Sequence, residues 1–261
     1  MSDQQAENVG NLGDILKHGA LVRLAGVAAQ RAIRGPVTYI DTHAFRLESD
    51  WNSALKWKQA INMQLAKHPA YTDYVRREKD RLDEGEPYLC SAGLALEIIS
   101  ERSYHAILAE TDEDNRRTLK TQARQLGYRT DYILEEAAEL KEIEPPRGED
   151  EDEDDPSGGS LLVLVDPFEL DDAEWAEICT GLENFVEEES EAMILVFDFD
   201  ADHETVNWPT PPEHFLGPVA TIDEQPFHLA GYATEAMAGK MVEELSNLGW
   251  AIHWEEEEDE E

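Results

Sequence analysis

Leu161-Leu162-Val163-Leu164-Val165-Asp166-Pro167-Phe168-Glu169 decides how the rest of the chain is read. Five unbroken aliphatic residues describe a strand buried on both faces, as in the middle of a parallel sheet. The run stops at an acid followed by proline, which has no amide hydrogen to extend a ladder and holds the preceding residue extended. In open α/β sheets ligands sit beyond the carboxyl ends of the strands, which predicts Asp166 at the lip of a site. A carboxylate, a carbonyl beside a proline and an aromatic ring there can grip a flat, amino-bearing ring. An ordinary Asp-Pro turn explains the same residues without a ligand.

Outward from this strand the sequence alternates strand and helix. Upstream, a helix capped by Asn11 or Asp14 runs to about Arg34, and Val37-Thr38-Tyr39-Ile40-Asp41 is a strand ending in an acid. Ser91 is placed to cap a helix, His105-Ala106-Ile107-Leu108-Ala109 is a strand ending at Glu110, and Asp112 opens a helix closed by Gly127. Tyr132-Ile133-Leu134 precedes Glu135-Glu136. Downstream come a helix over 171–188, a strand over 192–197, strands over 219–222 and 227–232, a helix over 234–248 and a short strand over 250–254. Acids at successive strand ends of a β-α repeat predict a doubly wound α/β sheet.

Residues 46–87 interrupt the alternation as two helices, 51–68 and 71–83, separated by Pro69. Between Arg46 and Arg81 eight bases meet five acids, a local excess of +3 in a chain of net charge −38. Lys56, Lys58, Arg76 and Arg77 are its candidate nucleic-acid contacts, with Lys17 on the first helix. A helical pair whose bases meet acids elsewhere is the competing reading. The chain is thus divided into a sheet domain over 1–45 and 88–261, a helical insertion over 46–87, an acidic loop over 144–159 and an acidic tail over 255–261.

The charge is uneven: residues 1–147 hold 24 acids and 20 bases, whereas 148–261 hold 35 acids and one base, Lys240. An acid-rich surface with only eight lysines in 261 residues suits molar salt, where screening over roughly 3 Å removes most self-repulsion. A binding device for basic partners is the alternative. No apolar run of transmembrane length and no secretory signal pattern occur, so a cytoplasmic protein is expected, away from membranes. Cys90 and Cys179 lie far apart outside metal-binding spacings and read as reduced thiols. The alternating acids of Phe197-Asp198-Phe199-Asp200-Ala201-Asp202-His203 read as a solvated edge, and no metal is expected.

Glu110 after the second strand is placed to accept ribose hydroxyls, and Glu136 after the third to accept from an adenine amine. Ordered with Asp41 and Asp166, they describe a pocket for an adenosine moiety, and an acidic wall suits a positive sulfonium.

Gly10-Asn11-Leu12-Gly13-Asp14-Ile15-Leu16-Lys17-His18 resembles the N-terminal motif of the large-subunit ribosomal RNA adenine-N6 methyltransferases. Tyr39-Ile40-Asp41-Thr42-His43-Ala44, Tyr88-Leu89-x-Ser91, Ala109-Glu110 and Val165-Asp166-Pro167 are similar to later motifs of that family and follow in its order. The resemblance spans nearly the whole chain and implies a class I methyltransferase Rossmann-like sheet with the helical insertion after the first strand. It further implies S-adenosylmethionine as cofactor, held by His18, Asp41, His43, Ser91, Glu110, Glu136 and Ala137, and ribosomal RNA as substrate. Asp166 would be the catalytic carboxylate, Pro167 would supply a carbonyl and Phe168 would stack on the target base. Three motifs differ from the family: Asp-Pro-Phe-Glu stands for Asp-Pro-Pro-Tyr, Phe45-Arg46-Leu47 for a glycine turn, and Glu136-Ala137 for Asp-Gly. These differences support an alternative, a non-catalytic methyltransferase-like binding protein that keeps the fold. Oligomeric state leaves no mark in the sequence.

Overall fold

The computed structural model describes residues 12–32, 35–50, 72–145, 159–167, 172–188, 191–198, 215–224 and 227–248. The described residues begin with α1 (Leu12–Arg31) and strand β1 (Val37–Asp41), and continue with β2 (Glu48–Ser49), α2 (Thr72–Glu84) and β3 (Tyr88–Leu89). Then come α3 (Ser91–Ile99), β4 (Tyr104–Ala109), α4 (Glu113–Leu126), β5 (Tyr132–Leu134) and a 3₁₀ turn (Ala137–Glu142). The last elements are β6 (Ser160–Val165), α5 (Asp172–Glu188), β7 (Ala192–Asp198), β8 (Phe215–Glu224), β9 (Phe227–Thr234) and α6 (Glu235–Ser246).

Among the described residues seven strands form one sheet in the order β5-β4-β1-β6-β7-β9-β8. The first five run parallel, and β9 enters antiparallel to both β7 and β8. The reversal of order falls between β1 and β6, where a doubly wound sheet opens its ligand crevice. Tyr39 of β1 is paired in register with Ala106 of β4 and Leu162 of β6.

The aliphatic run behaves as its composition requires. Successive strand side chains point to opposite faces. Leu162 and Leu164 accordingly join the core beneath α1, α3 and α6, while Leu161, Val163 and Val165 join the core beneath α5 and the 3₁₀ turn. All five are completely buried, so truncating one to alanine would cost about 2–5 kcal/mol. Helices on both faces explain why no polar alternation survives in β6.

Local signals place the helix ends. The Asp112 carboxylate accepts from the amides of Asp114 and Asn115, and Gly127 closes α4 at φ 75°. Ser91 departs from its expected capping role: Cys90 is the N-cap of α3, without a side-chain bond, and Ser91 is already helical. Its hydroxyl bonds the His18 ring instead. Tyr88 and Leu89 were expected only as a motif, yet they pair antiparallel with Ser49 and Glu48 in a small ribbon at the foot of the 46–87 segment. Gly93 lets α3 pack there, because a Cβ would meet the Leu47 carbonyl at 2.2 Å. The expected helix 51–68, the acidic run 149–155 and the strand 250–254 lie outside the described residues. Among the described residues no helix is long and apolar enough to cross a membrane.

Candidate active site

The carboxyl ends of β1, β4, β5 and β6 converge on a cleft of about 420 Å³, walled on one side by the start of α5. Thr42, His43, Glu110, Glu136, Ala137 and Asp166 line it. The ending of each strand is locked by backbone bonds: the Thr42 amide donates to the Leu164 carbonyl (3.0 Å), Ala44 to Ala109 (2.7 Å) and Glu110 to Leu134 (3.2 Å). These tie four strand ends together and fix where the side chains emerge.

Asp166 stands at the end of β6 and is gripped from behind by Lys17 of α1, whose ammonium also reaches Asp14 Oδ1 at 3.0 Å. Lys17 is only 6% exposed and lies 5.4 Å over the Phe197 ring. Burial works against its charge, but the carboxylates of Asp166 and Asp14 outweigh burial and hold the ammonium above the ordinary lysine range. Burial pushes the Asp166 carboxyl up, and Lys17 opposes that push. Lys17 engages Asp166 through Oδ2.

Asp41 lies beneath the lining. Its Oδ1 accepts from the His43 amide at 3.1 Å and its Oδ2 from the Tyr39 hydroxyl at 3.0 Å. Burial, then repulsion from Asp166, raises its carboxyl to about 6. Glu110 accepts from the Asp112 amide at 2.8 Å and is likewise raised to about 6, chiefly by burial. Glu136 is exposed at the cleft edge and Ala137 is buried below it. His43 bridges the cleft: Nδ1 lies 2.7 Å from the Thr42 hydroxyl and Nε2 lies 3.1 Å from Glu174 of α5.

The remaining sequence-predicted residues fall elsewhere or outside the described chain. His18 and Ser91 do not line the cleft. The His18 ring is buried, with Nε2 2.9 Å from Ser91 Oγ and Nδ1 near the hydroxyls of Tyr88 (3.0 Å) and Tyr74 (3.2 Å). Burial lowers its pKa to about 3, so the ring is neutral. Lys17 points to Asp166 rather than to the surface. Arg76 and Arg77 are exposed on α2, and Arg77 pairs with Glu97 at 3.2 Å. Pro167 is buried after Asp166, whereas Phe168, Lys56 and Lys58 lie outside the described residues.

The turn that lacks glycine does not line the cleft. Arg46 stacks 4.8 Å from the Phe45 ring and donates to Asn115 Oδ1 of α4 at 3.0 and 3.2 Å. Glu174 and Glu177, which sequence reading passed over, do line it. In a segment with 35 acids, no local signal separates these two from solvated carboxylates.

No family model matches the sequence, and no curated protein matches it. Among solved structures the chain is similar to protein LPL1258 of Legionella pneumophila, assigned to the family DUF519. Identity is 17% over 94% of this chain and 98% of that chain, with a TM-score of 0.61. Looser likenesses are to yhhF of Escherichia coli, a candidate methyltransferase (15% identity, 82% and 86% of the two chains, TM-score 0.45). Another is SMU.1697c of Streptococcus mutans, a candidate methyltransferase in complex with SAH (10% identity, 81% and 96%, TM-score 0.41). At such identities the likeness is one of fold. The fold is a mostly parallel, Rossmann-like α/β sheet.

Proposed function

We propose that the chain is an S-adenosylmethionine-dependent methyltransferase whose substrate is an adenine N6 amine of nucleic acid, most specifically ribosomal RNA. The observation that carries this reading is the meeting of Asp166, anchored by Lys17, with Glu110 and Glu136 around one cleft at the switch point of the sheet. Lys17, Glu110 and Asp166 are also residues on which the sequence resembles the adenine-N6 family, whereas Glu136 stands where that family has aspartate.

The donor supplies an electrophilic methyl group on a sulfonium. Glu110 and Glu136 suit the ribose hydroxyls and adenine amine of that donor, because each carboxylate only accepts hydrogen bonds when ionised. Asp166 answers the difficulty of the acceptor. The N6 lone pair of adenine is delocalised into the ring, and hydrogen bonds from N6–H to a carboxylate and to the Pro167 carbonyl localise it toward the methyl group. Lys17 fixes the orientation of the Asp166 carboxylate, so little reorganisation is left for the transition state. The target base must first leave its stack, and the bases of the 46–87 segment are suited to holding the flanking strand.

The test is methyl transfer to unmodified ribosomal RNA in high-potassium buffer, read by nucleoside analysis. Wild type is expected to form N6-methyladenosine, and Asp166→Ala to lose at least 100-fold in rate while still binding S-adenosylmethionine. Unchanged transfer by Asp166→Ala, or none by wild type on any adenine-containing RNA, would overturn the assignment and leave the non-catalytic binding protein.

A further inference from the structure

Five carboxylates line the cleft: Glu110, Glu136, Asp166, Glu174 and Glu177. Among the described residues no lysine or arginine lines it, and His43 is its one basic side chain. Lys17 stands behind Asp166 and is itself shared with Asp14. The buried Asp41 adds a further acid beneath the floor.

The two carboxylates from α5 are held in place by packing rather than by chance. Trp175, Ile178 and Leu182 sink that helix into the core against β6 and β7. Gly181 allows it to approach the 3₁₀ turn so closely that a Cβ would meet Leu140 Cβ at 2.9 Å. One and two turns earlier, Glu177 and Glu174 project together from one helical face onto the cleft, and Glu174 reaches across it to His43.

We propose that this cleft selects for positive charge, holding the sulfonium cofactor in preference to its thioether product, with Glu174 and Glu177 setting the preference. The inference rests on the function proposed above and adds a direction to it. Methyl transfer breaks the S–CH3 bond, leaving its electron pair on sulfur; the new C–N bond forms on the amine, which then loses a proton to solvent. The ligand left in the cleft therefore carries one positive charge fewer, and the acids that favoured its entry no longer favour its retention.

Calorimetric titration of the full chain with S-adenosylmethionine and with S-adenosylhomocysteine, at one fixed high potassium chloride concentration, tests this. Wild type is expected to bind the sulfonium at least tenfold more tightly than the thioether. Glu174→Gln combined with Glu177→Gln is expected to shrink that ratio at least fivefold by weakening the sulfonium alone, with the thioether changed less than twofold. Should the double variant fail to fold, Glu177→Gln on the exposed helix surface gives the same comparison with a smaller shift. Equal or tighter thioether binding by wild type, or parallel weakening of both ligands in the variants, overturns the charge preference and leaves the proposed function standing. Binding of neither ligand by folded wild type overturns both.

Discussion

Lys17 and His18 are adjacent on α1, yet they enter two buried regions that treat charge in opposite ways. Lys17 meets two carboxylates at the end of the sheet and keeps its proton. His18 meets three hydroxyls at the foot of the 46–87 segment and is neutral, its pKa lowered to about 3. Burial penalises both charged forms; the partners decide the outcome. The first region is thus an electrostatic device with a direction, and the second is a joint that holds α1, α2, β3 and α3 together.

The largest test of this contrast removes the ammonium. Lys17→Met leaves the part-buried Asp166 and Asp14 without their counter-charge, and is expected to cost about 3 kcal/mol in urea unfolding and to abolish methyl transfer. A stability loss without an effect on transfer would separate Lys17 from the chemistry.

The next tests the neutral region through the buried Glu78. Glu78 of α2 is completely buried and makes no well-formed hydrogen bond, the Leu89 amide offering only a weak contact. Burial raises its carboxyl to about 8 from 4.5. Between those values the folded state holds a proton that the unfolded state has lost, so stability falls as pH rises, by about 1.4 kcal/mol per unit. Glu78→Gln is expected to stabilise the protein by on the order of 2–4 kcal/mol above pH 8. The gain should shrink to nothing below pH 4.5 in melts across pH, and a gain independent of pH would contradict the account.

Tyr88→Phe removes one hydroxyl from the His18 network and is expected to cost about 1 kcal/mol, with cofactor affinity unchanged within twofold by calorimetry. The smallest effect on folding belongs to the surface. Arg76→Ala with Arg77→Ala is expected to change stability by about 0.5 kcal/mol, yet to weaken RNA binding and flatten its salt dependence.

The same contrast explains what the sequence disclosed. Strand ends were legible because β6 is aliphatic on both faces and because Asp41, Glu110 and Asp166 each follow an apolar run. Asp112 and Gly127 announced α4 through local chemistry alone. His18 was legible as a residue but not in its partners, because Tyr74 and Tyr88 lie 56 and 70 positions away. The ribbon of β2 and β3 has two residues per strand, too few to show a period. Glu174 and Glu177 were hidden by abundance, since a carboxylate carries little information in a segment with 35 acids.

The central claim is that the cleft at the strand ends is an adenosyl-cofactor pocket. It is tested most directly by calorimetric binding of S-adenosylmethionine in high-potassium buffer, comparing wild type with Glu110→Ala. Saturable binding at one site is expected, weakened at least tenfold by the substitution, a loss of about 1.4 kcal/mol. A wild type that is folded by circular dichroism and binds nothing, or a Glu110→Ala variant that binds as well as wild type, would contradict it.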